Sequence, residues 1–297
     1  MLTYNPCNLC PRLCGVDRFR HKGFCQSGVQ IKVARAALHF WEEPCLSGNR
    51  GSGTVFFSGC TLRCCFCQNY SISIEGYGRE VSPERLAAMF ESLQDQGAHN
   101  INLVTATHFL PGLLQALDLA KPRLHIPVVY NCGGYERVEV IQALKDYVDI
   151  YLPDFKYCSS ELSWKYSQTK DYFSAAAAAI QEMVRLTGPL VYDAEGIMQK
   201  GVIIRHLVLP GARKDSMAIL NWIHDHLPEN HYVLSLMSQY TPCYKSCEHP
   251  EIDRRLTTAE YQSVVREALR LGLDSGYIQE RDSARAEYTP PFDLEGV

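Results

Sequence analysis

The stretch "GCTLRCCFCQNY", residues 59–70, places Cys60, Cys64, Cys65 and Cys67 within eight positions of a 297-residue chain that carries 13 cysteines. Thiols so crowded can be packed apolar groups, a disulfide knot or ligands to a metal. Residues 1–10, "MLTYNPCNLC", lack a basic region followed by an apolar stretch, and no segment reaches the ~20 apolar residues that span a bilayer, so the chain is read as cytoplasmic. Thiols stay reduced there, and an odd number of them argues against a disulfide framework and toward metal ligation.

Cys60, Cys64 and Cys67 follow the spacing Cys-x3-Cys-x2-Cys. Three thiolates can hold three irons of a four-iron cluster and leave the fourth open to an exogenous ligand. A zinc site would want a fourth protein ligand or a catalytic water, and the nearest histidines in sequence are His39 and His99. Cys65 falls outside the triplet and reads as a packed or partly exposed thiol.

A second group lies in "CNLCPRLCGVDRFRHKGFC": Cys7, Cys10, Cys14 and Cys25, with His21 as a spare donor. Four thiols leave no open position, so this site is expected to be structural or electron-carrying, either tetrahedral zinc or a second iron–sulfur cluster. "PCYKSCEH" adds Cys243, Cys247 and His249; without a fourth donor nearby, these read as loop groups at a cavity mouth.

The elements that must position these groups begin near Gly53. Six apolar runs alternate with helical stretches: residues 54–59, 100–107, 126–131, 148–155, 201–209 and 232–240. "SPERLAAMFESLQDQG" shows the helical pattern best, with Ser82 as cap, Pro83 in the first turn and Gly97 as stop, and "TTAEYQSVVREALRLGL" is capped by Thr257 or Thr258. Six βα units predict an α/β fold, a partial (β/α)6 TIM-like barrel open on one side, with functional residues at the strand C-terminal ends. Residues 1–52 are expected to form a small cysteine-rich metal module and connector, residues 53–280 the barrel, and residues 281–297 a polar tail without regular structure.

Composition is permissive: 46% hydrophobic residues can fill a large core, and a net charge of −4 without like-charge runs speaks against nucleic-acid or membrane partners. Polar groups at five of six strand tips speak against a non-catalytic metal-binding or electron-transfer protein. Asp154 and Lys156 stand two apart in a strand and share one face. Arg205, a lone charge in an apolar strand, needs a partner; it is expected in the barrel interior, with a structural ion pair as the alternative.

The cysteine triplet after the first strand of a partial barrel resembles the radical S-adenosylmethionine superfamily. "EEPCLSGNRGSGTVFFSGC", "VTATHFLPG", "VVYNCGGYE", "YLPDFKY", "RHLVLPG" and "LMSQYTP" are similar to the branch related to pyruvate formate-lyase activating enzymes, in the subgroup of activators whose target is not fixed. The resemblance implies a [4Fe-4S] cluster whose open iron chelates S-adenosylmethionine. Reductive carbon–sulfur cleavage then gives methionine and a 5′-deoxyadenosyl radical that abstracts hydrogen from a substrate, here a glycine of a glycyl radical enzyme, or else another protein, a peptide or a small metabolite. It also implies a low-potential electron donor such as flavodoxin or ferredoxin.

Residue by residue, it implies Phe66 against the adenine or as a shield over the cluster, and Asn69, with Gln68, in the cluster loop. Thr105 and Thr107 stand where the superfamily often has Gly-Gly-Glu, and are expected as hydroxyl acceptors for the methionyl amino group. Asn131 replaces an aspartate of the activators, Asp154 and Lys156 are expected on the cofactor carboxylate, Arg205 on its carboxylate or ribose, and Gln239 with Tyr240 on the ribose or carboxylate. His108 reads as a loop histidine.

Overall fold

Strand formation follows short apolar runs that are buried almost continuously, as strands covered on both faces require. The computed structural model describes residues 1–279 and 289–297. In chain order its strands are β1 (Ile31–His39), β2 (Ser52–Phe57), β3 (Arg79–Val81), β4 (Ile101–Val104), β5 (Val128–Cys132), β6 (Ile150–Pro153), β7 (Val191–Tyr192), β8 (Met198–Leu207), β9 (Tyr232–Met237) and β10 (Tyr277–Ile278). The sheet runs β10-β9-β8-β6-β5-β4-β2-β1-β3, with β7 paired to β8 alone. The six expected runs supply β2, β4, β5, β6, β8 and β9, joined by parallel pairing throughout. The fold is the partial barrel that six βα units dictate.

Helices cover the outer face. Pro83–Asp95 begins where Ser82 Oγ accepts from the Arg85 amide at 3.2 Å and buries Leu86, Met89, Phe90 and Leu93. Thr258–Arg270 opens with a capping box in which Thr257 and Glu260 satisfy each other's backbone amides. Among the described residues, no helix is long and apolar enough to cross a membrane.

The expected boundary at residue 52 falls inside a hydrogen-bonded strand pair. β1 runs antiparallel to β2, with Ala37 opposite Thr54, so residues 31–39 belong to the sheet. Lys32, Arg35 and three alanines deprive this run of the β-branched alternation that marks a strand. Of the expected tail, residues 281–288 lie outside the described residues. Residues 289–297 take no helix or strand, yet they dock on β1: the Ala36 amide donates to Glu295 O at 2.8 Å, Leu294 donates to Ala34 O at 3.1 Å, and Arg35 pairs with Asp293 at 2.7 Å.

The connector after β1 folds back inside the barrel. Cys45 and Leu46, on the short helix Pro44–Ser47, plug its floor against Val129, Ile150, Leu152 and Ile203. On the same inward parity, two residues beyond Val129, Leu152 and Ile203, stand Asn131, Asp154 and Arg205, and Asn102 lies in register with Val129. The alternation therefore sets an apolar plug below and a polar layer above.

Candidate active site

The cysteine loop leaves β2 through Gly59, whose φ of +89° is open to glycine; a side chain there would collide with Ser27 Oγ, the Cys25 carbonyl and the His108 ring. Beyond this pivot Cys60, Cys64 and Cys67 line one cavity of about 240 Å3 at the strand C-terminal ends. Each sulfur has hydrogen-bond support: the Leu62 amide donates to Cys60 at 3.4 Å, the Ser167 hydroxyl to Cys64 at 3.0 Å, and Ser73 Oγ lies 3.2 Å from Cys67. Cys65 does not line this cavity, and its amide donates to Tyr166 O at 2.8 Å. All thirteen cysteines are free.

The donor set suits an iron–sulfur cluster: soft sulfurs, spaced on one wall, each supported by a neighbouring donor. Burial, then the neighbouring Cys64, pushes the Cys67 thiol up to about 12, and Cys60 is raised by the same influences. Ligation would have to draw those protons off. Among the described residues no three or more His, Cys, Asp or Glu side chains are closed round a common point as a metal site.

Opposite the thiols stands a charged layer. Lys156 Nζ donates to Asp154 Oδ2 at 2.6 Å and Arg205 Nε to Asp154 Oδ1 at 2.9 Å. Arg205 also donates to Asn131 Oδ1 at 2.7 Å and to Glu42 Oε2 at 3.3 Å, and Glu42 accepts from Asn102 at 3.0 Å. Burial is the largest influence on Asp154 and acts upward, but Arg205 and Lys156 outweigh it and hold the carboxyl below its usual range. Lys156 is likewise held protonated against burial by Asp154. Glu42 moves the other way, raised by burial despite Arg205.

Most of the expected residues converge here. Phe66, Asn69, Thr105, Asn131, Lys156 and Gln239 all line the cavity, as do Gln68, Asp154, Arg205 and Tyr240. Phe66 packs edge-on to Tyr240 with centroids 5.7 Å apart. Thr105 holds φ +62°, a left-handed conformation that is costly for a β-branched residue, and its amide donates to Asn131 O at 2.8 Å.

Thr107 is placed elsewhere. β4 ends at Val104 and the chain turns into a 3-10 helix over Thr107–Phe109. The Thr107 hydroxyl is spent on Glu136 Oε1 at 2.6 Å and accepts from Tyr130 at 2.9 Å, behind the cavity wall. His108 is buried against the Ser58 carbonyl at 2.8 Å.

The "PCYKSC" loop straps the cysteine loop: Cys243 Sγ donates to Phe66 O at 3.2 Å, Lys245 N to Cys65 O at 2.9 Å, and Tyr244 stacks on Tyr70 at 5.0 Å. The N-terminal segment clamps it from the other side. Arg12 donates to Thr61 O at 3.0 Å and Ser167 O at 2.9 Å. Buried Arg18 donates to Ser27 O at 3.1 Å and His108 O at 2.5 Å. Cys7, Cys10 and Cys25 are buried and Cys14 exposed. A side chain at Gly23 would lie 3.4 Å from Cys25 Sγ and 3.6 Å from Cys14 Sγ, so those two sulfurs flank one small space.

Glu42 and Glu43 escape sequence reasoning. They lie in an irregular connector, and only the buried Arg205, with its need for partners, signals that carboxylates must approach it.

Residues 54–223 match the family model of the Radical SAM superfamily. Among curated proteins the chain is similar to an uncharacterized protein, MJ0674, of Methanocaldococcus jannaschii, 32% identical over 285 residues and covering 92% of this chain and 77% of that one. Among solved structures it is similar to Streptococcus suis SuiB bound to precursor peptide SuiA, at 9% identity and TM-score 0.49 over 74% of this chain and 46% of that one. A domain of pyruvate-formate lyase-activating enzyme from Bacteroides vulgatus matches at 12% identity and TM-score 0.38, covering 66% of this chain and 91% of that one. HydG, a maturase of the [FeFe]-hydrogenase, matches at 13% and 0.49, covering 73% and 48%. The chain thus spans about half the length of SuiB and of HydG.

Proposed function

This chain belongs to the radical SAM superfamily, and we propose that the cavity at its strand ends cleaves S-adenosylmethionine reductively and directs the resulting radical to a glycine of a partner protein of the pyruvate formate-lyase type. The family implies a [4Fe-4S] cluster and S-adenosylmethionine. When bound, the cluster supplies the electron that releases methionine and a 5′-deoxyadenosyl radical.

The observation that carries this reading is the placement of three free thiols and the Asp154–Lys156–Arg205 array in one cavity. Cys60, Cys64 and Cys67 would hold three irons. Lys156 and Arg205, both kept charged by Asp154, present the cationic side to a carboxylate. Thr105, Asn131 and Gln239 offer polar atoms for an amino group and a ribose, and Phe66 offers a ring face edge for the adenine. Leu62, Ile72, Leu207 and Met237 complete the lining and exclude water from a reactive radical. Cys7, Cys10, Cys14 and Cys25 would form the second metal site, zinc or iron–sulfur, in the segment whose Arg12 holds the cysteine loop.

Access supports a macromolecular target. Among the described residues the sheet leaves a gap between the connector after β1 and the β10 edge, and a cavity of about 640 Å3 occupies it. A polypeptide loop can reach the strand tips from that side.

Electron paramagnetic resonance of reduced, reconstituted protein with S-adenosylmethionine and candidate glycyl radical enzymes tests the target. A stable glycyl doublet is the expected signal. Cleavage of S-adenosylmethionine without a doublet from any candidate would transfer the reading to another protein, a peptide or a small metabolite.

A further inference from the structure

The lateral cavity carries a feature that the cleavage chemistry does not use. Glu43 lines it and is only 9% exposed. Its backbone is fixed, since its carbonyl accepts from the Leu46 amide at 2.8 Å and the Ser47 amide at 3.1 Å. Ser235 hydrogen-bonds the side chain, yet Oε2 is buried with no partner among the described residues. A buried carboxylate oxygen without a donor is expensive to keep and points to a ligand.

The local charges say which ligand. In the layer formed by Glu42, Glu43, Asp154, Lys156 and Arg205, carboxylates exceed cations by one. The hydrogen bonds of Arg205 go to Asp154, Asn131 and Glu42, and Lys156 is bonded to Asp154. Arg63, the other cation of the first cavity, stands over the Phe24 ring at 5.6 Å. Glu43 therefore stands as the carboxylate to which no cation of the layer is bonded. Burial raises its proton affinity against the opposing charge of Arg205, which is not hydrogen-bonded to it. The mouth is aromatic, with Phe40 51% and Trp41 55% exposed and Tyr277 on the opposite side, walls that suit the stem and face of a cationic side chain. Volume is ample for one such side chain.

We propose that the lateral cavity is a substrate site that takes a basic side chain of a peptide, with Glu43 as the partner of its cationic nitrogen. The terminal carboxylate torsion of glutamate is soft, so Oε2 can turn to the incoming group without moving the backbone. Arg205, Met237 and Gln239 line both cavities. A side chain anchored on Glu43 thus sets the peptide beside the place where the radical would form. This assignment deepens the reading above, in which the target is a polypeptide.

The test is equilibrium binding, independent of radical chemistry. Isothermal titration calorimetry compares N-acetyl-arginine amide with its neutral isostere N-acetyl-citrulline amide on the reduced, full-length protein. The arginine probe is expected to bind at least tenfold more tightly than the citrulline probe, and Glu43→Gln to erase that preference. Equal binding of the two probes, or an unchanged preference in Glu43→Gln, overturns the proposal. If circular dichroism finds Glu43→Gln unfolded, Phe40→Ala, at a half-exposed wall position, decides instead: arginine binding weakened at least threefold supports the site and unchanged binding overturns it. Charge-selective, Glu43-dependent binding by a protein that fails to cleave S-adenosylmethionine would sink the proposed function and leave this site standing.

Discussion

Arg205 and Asp154 meet inside the barrel, Nε to Oδ1 at 2.9 Å, Arg205 on β8 and Asp154 one residue past the end of the neighbouring β6, where the two backbones are bridged at these same two residues. One guanidinium thereby joins Asp154, Asn131 and Glu42 above the apolar floor. Removing it leaves buried Glu42 without a cation and Asp154 with Lys156 alone. Arg205→Met should destabilise the fold by about 3–5 kcal/mol. Adding Glu42→Gln should restore part of that loss, because it removes one stranded charge. Denaturant unfolding of the single and double variants checks this, and simple addition of two losses would show that the layer is not coupled.

The proposed role of Lys156 is in ligand binding rather than in the scaffold. Its ammonium sits 2.6 Å from Asp154 and faces the cavity. Lys156→Ala should weaken S-adenosylmethionine binding by about 1.5–3 kcal/mol, a charged hydrogen bond lost, while iron content stays intact. Unchanged affinity would return the pair to a purely structural role.

The charged layer also shows what can be read from sequence. Six strands and their polar tips are legible, because short apolar runs alternating with capped helices announce a parallel barrel. From the alternation of side chains along a strand Asp154 and Lys156 are placed on one face, and Arg205 declares its need for partners. The identity of one partner, Glu42, is not legible, since it depends on a connector folding into the barrel rather than on any local pattern. Thr107 misleads for a local reason: β4 ends three residues earlier than its apolar run suggests, and the 3-10 turn carries the hydroxyl out to Glu136. β1 is hidden by its alanines and charges.

Glu136 gives the fold a signature in pH. It is buried, its side-chain partners among the described residues are the Thr107 and Tyr130 hydroxyls, and burial pushes its carboxyl up to about 8 from a usual 4.5. The folded protein then holds this proton more tightly than the unfolded chain. Its contribution to stability is full below about pH 4.5 and is lost as pH rises toward 8. Melting temperatures should therefore show wild type and Glu136→Gln converging at pH 5, with the variant the more stable at pH 8.5. Parallel curves across that range would contradict the assignment.

The N-terminal quartet is tested by subtraction. A variant with Cys60, Cys64 and Cys67 all replaced by alanine should still retain zinc or iron, held by Cys7, Cys10, Cys14 and Cys25. Elemental analysis of the purified variant reads this directly. Absence of both metals would refute a second site.

The central claim is that the thiol-lined cavity cleaves S-adenosylmethionine through Cys60, Cys64 and Cys67. Its most direct test is chromatographic measurement of 5′-deoxyadenosine and methionine from anaerobically reconstituted protein given dithionite and S-adenosylmethionine. Wild type and Cys65→Ala should form both products in equal amounts, because Cys65 does not line the cavity, and Cys64→Ala should form neither. An iron-loaded, reduced wild type that forms no 5′-deoxyadenosine, or equal loss in Cys65→Ala and Cys64→Ala, would contradict it.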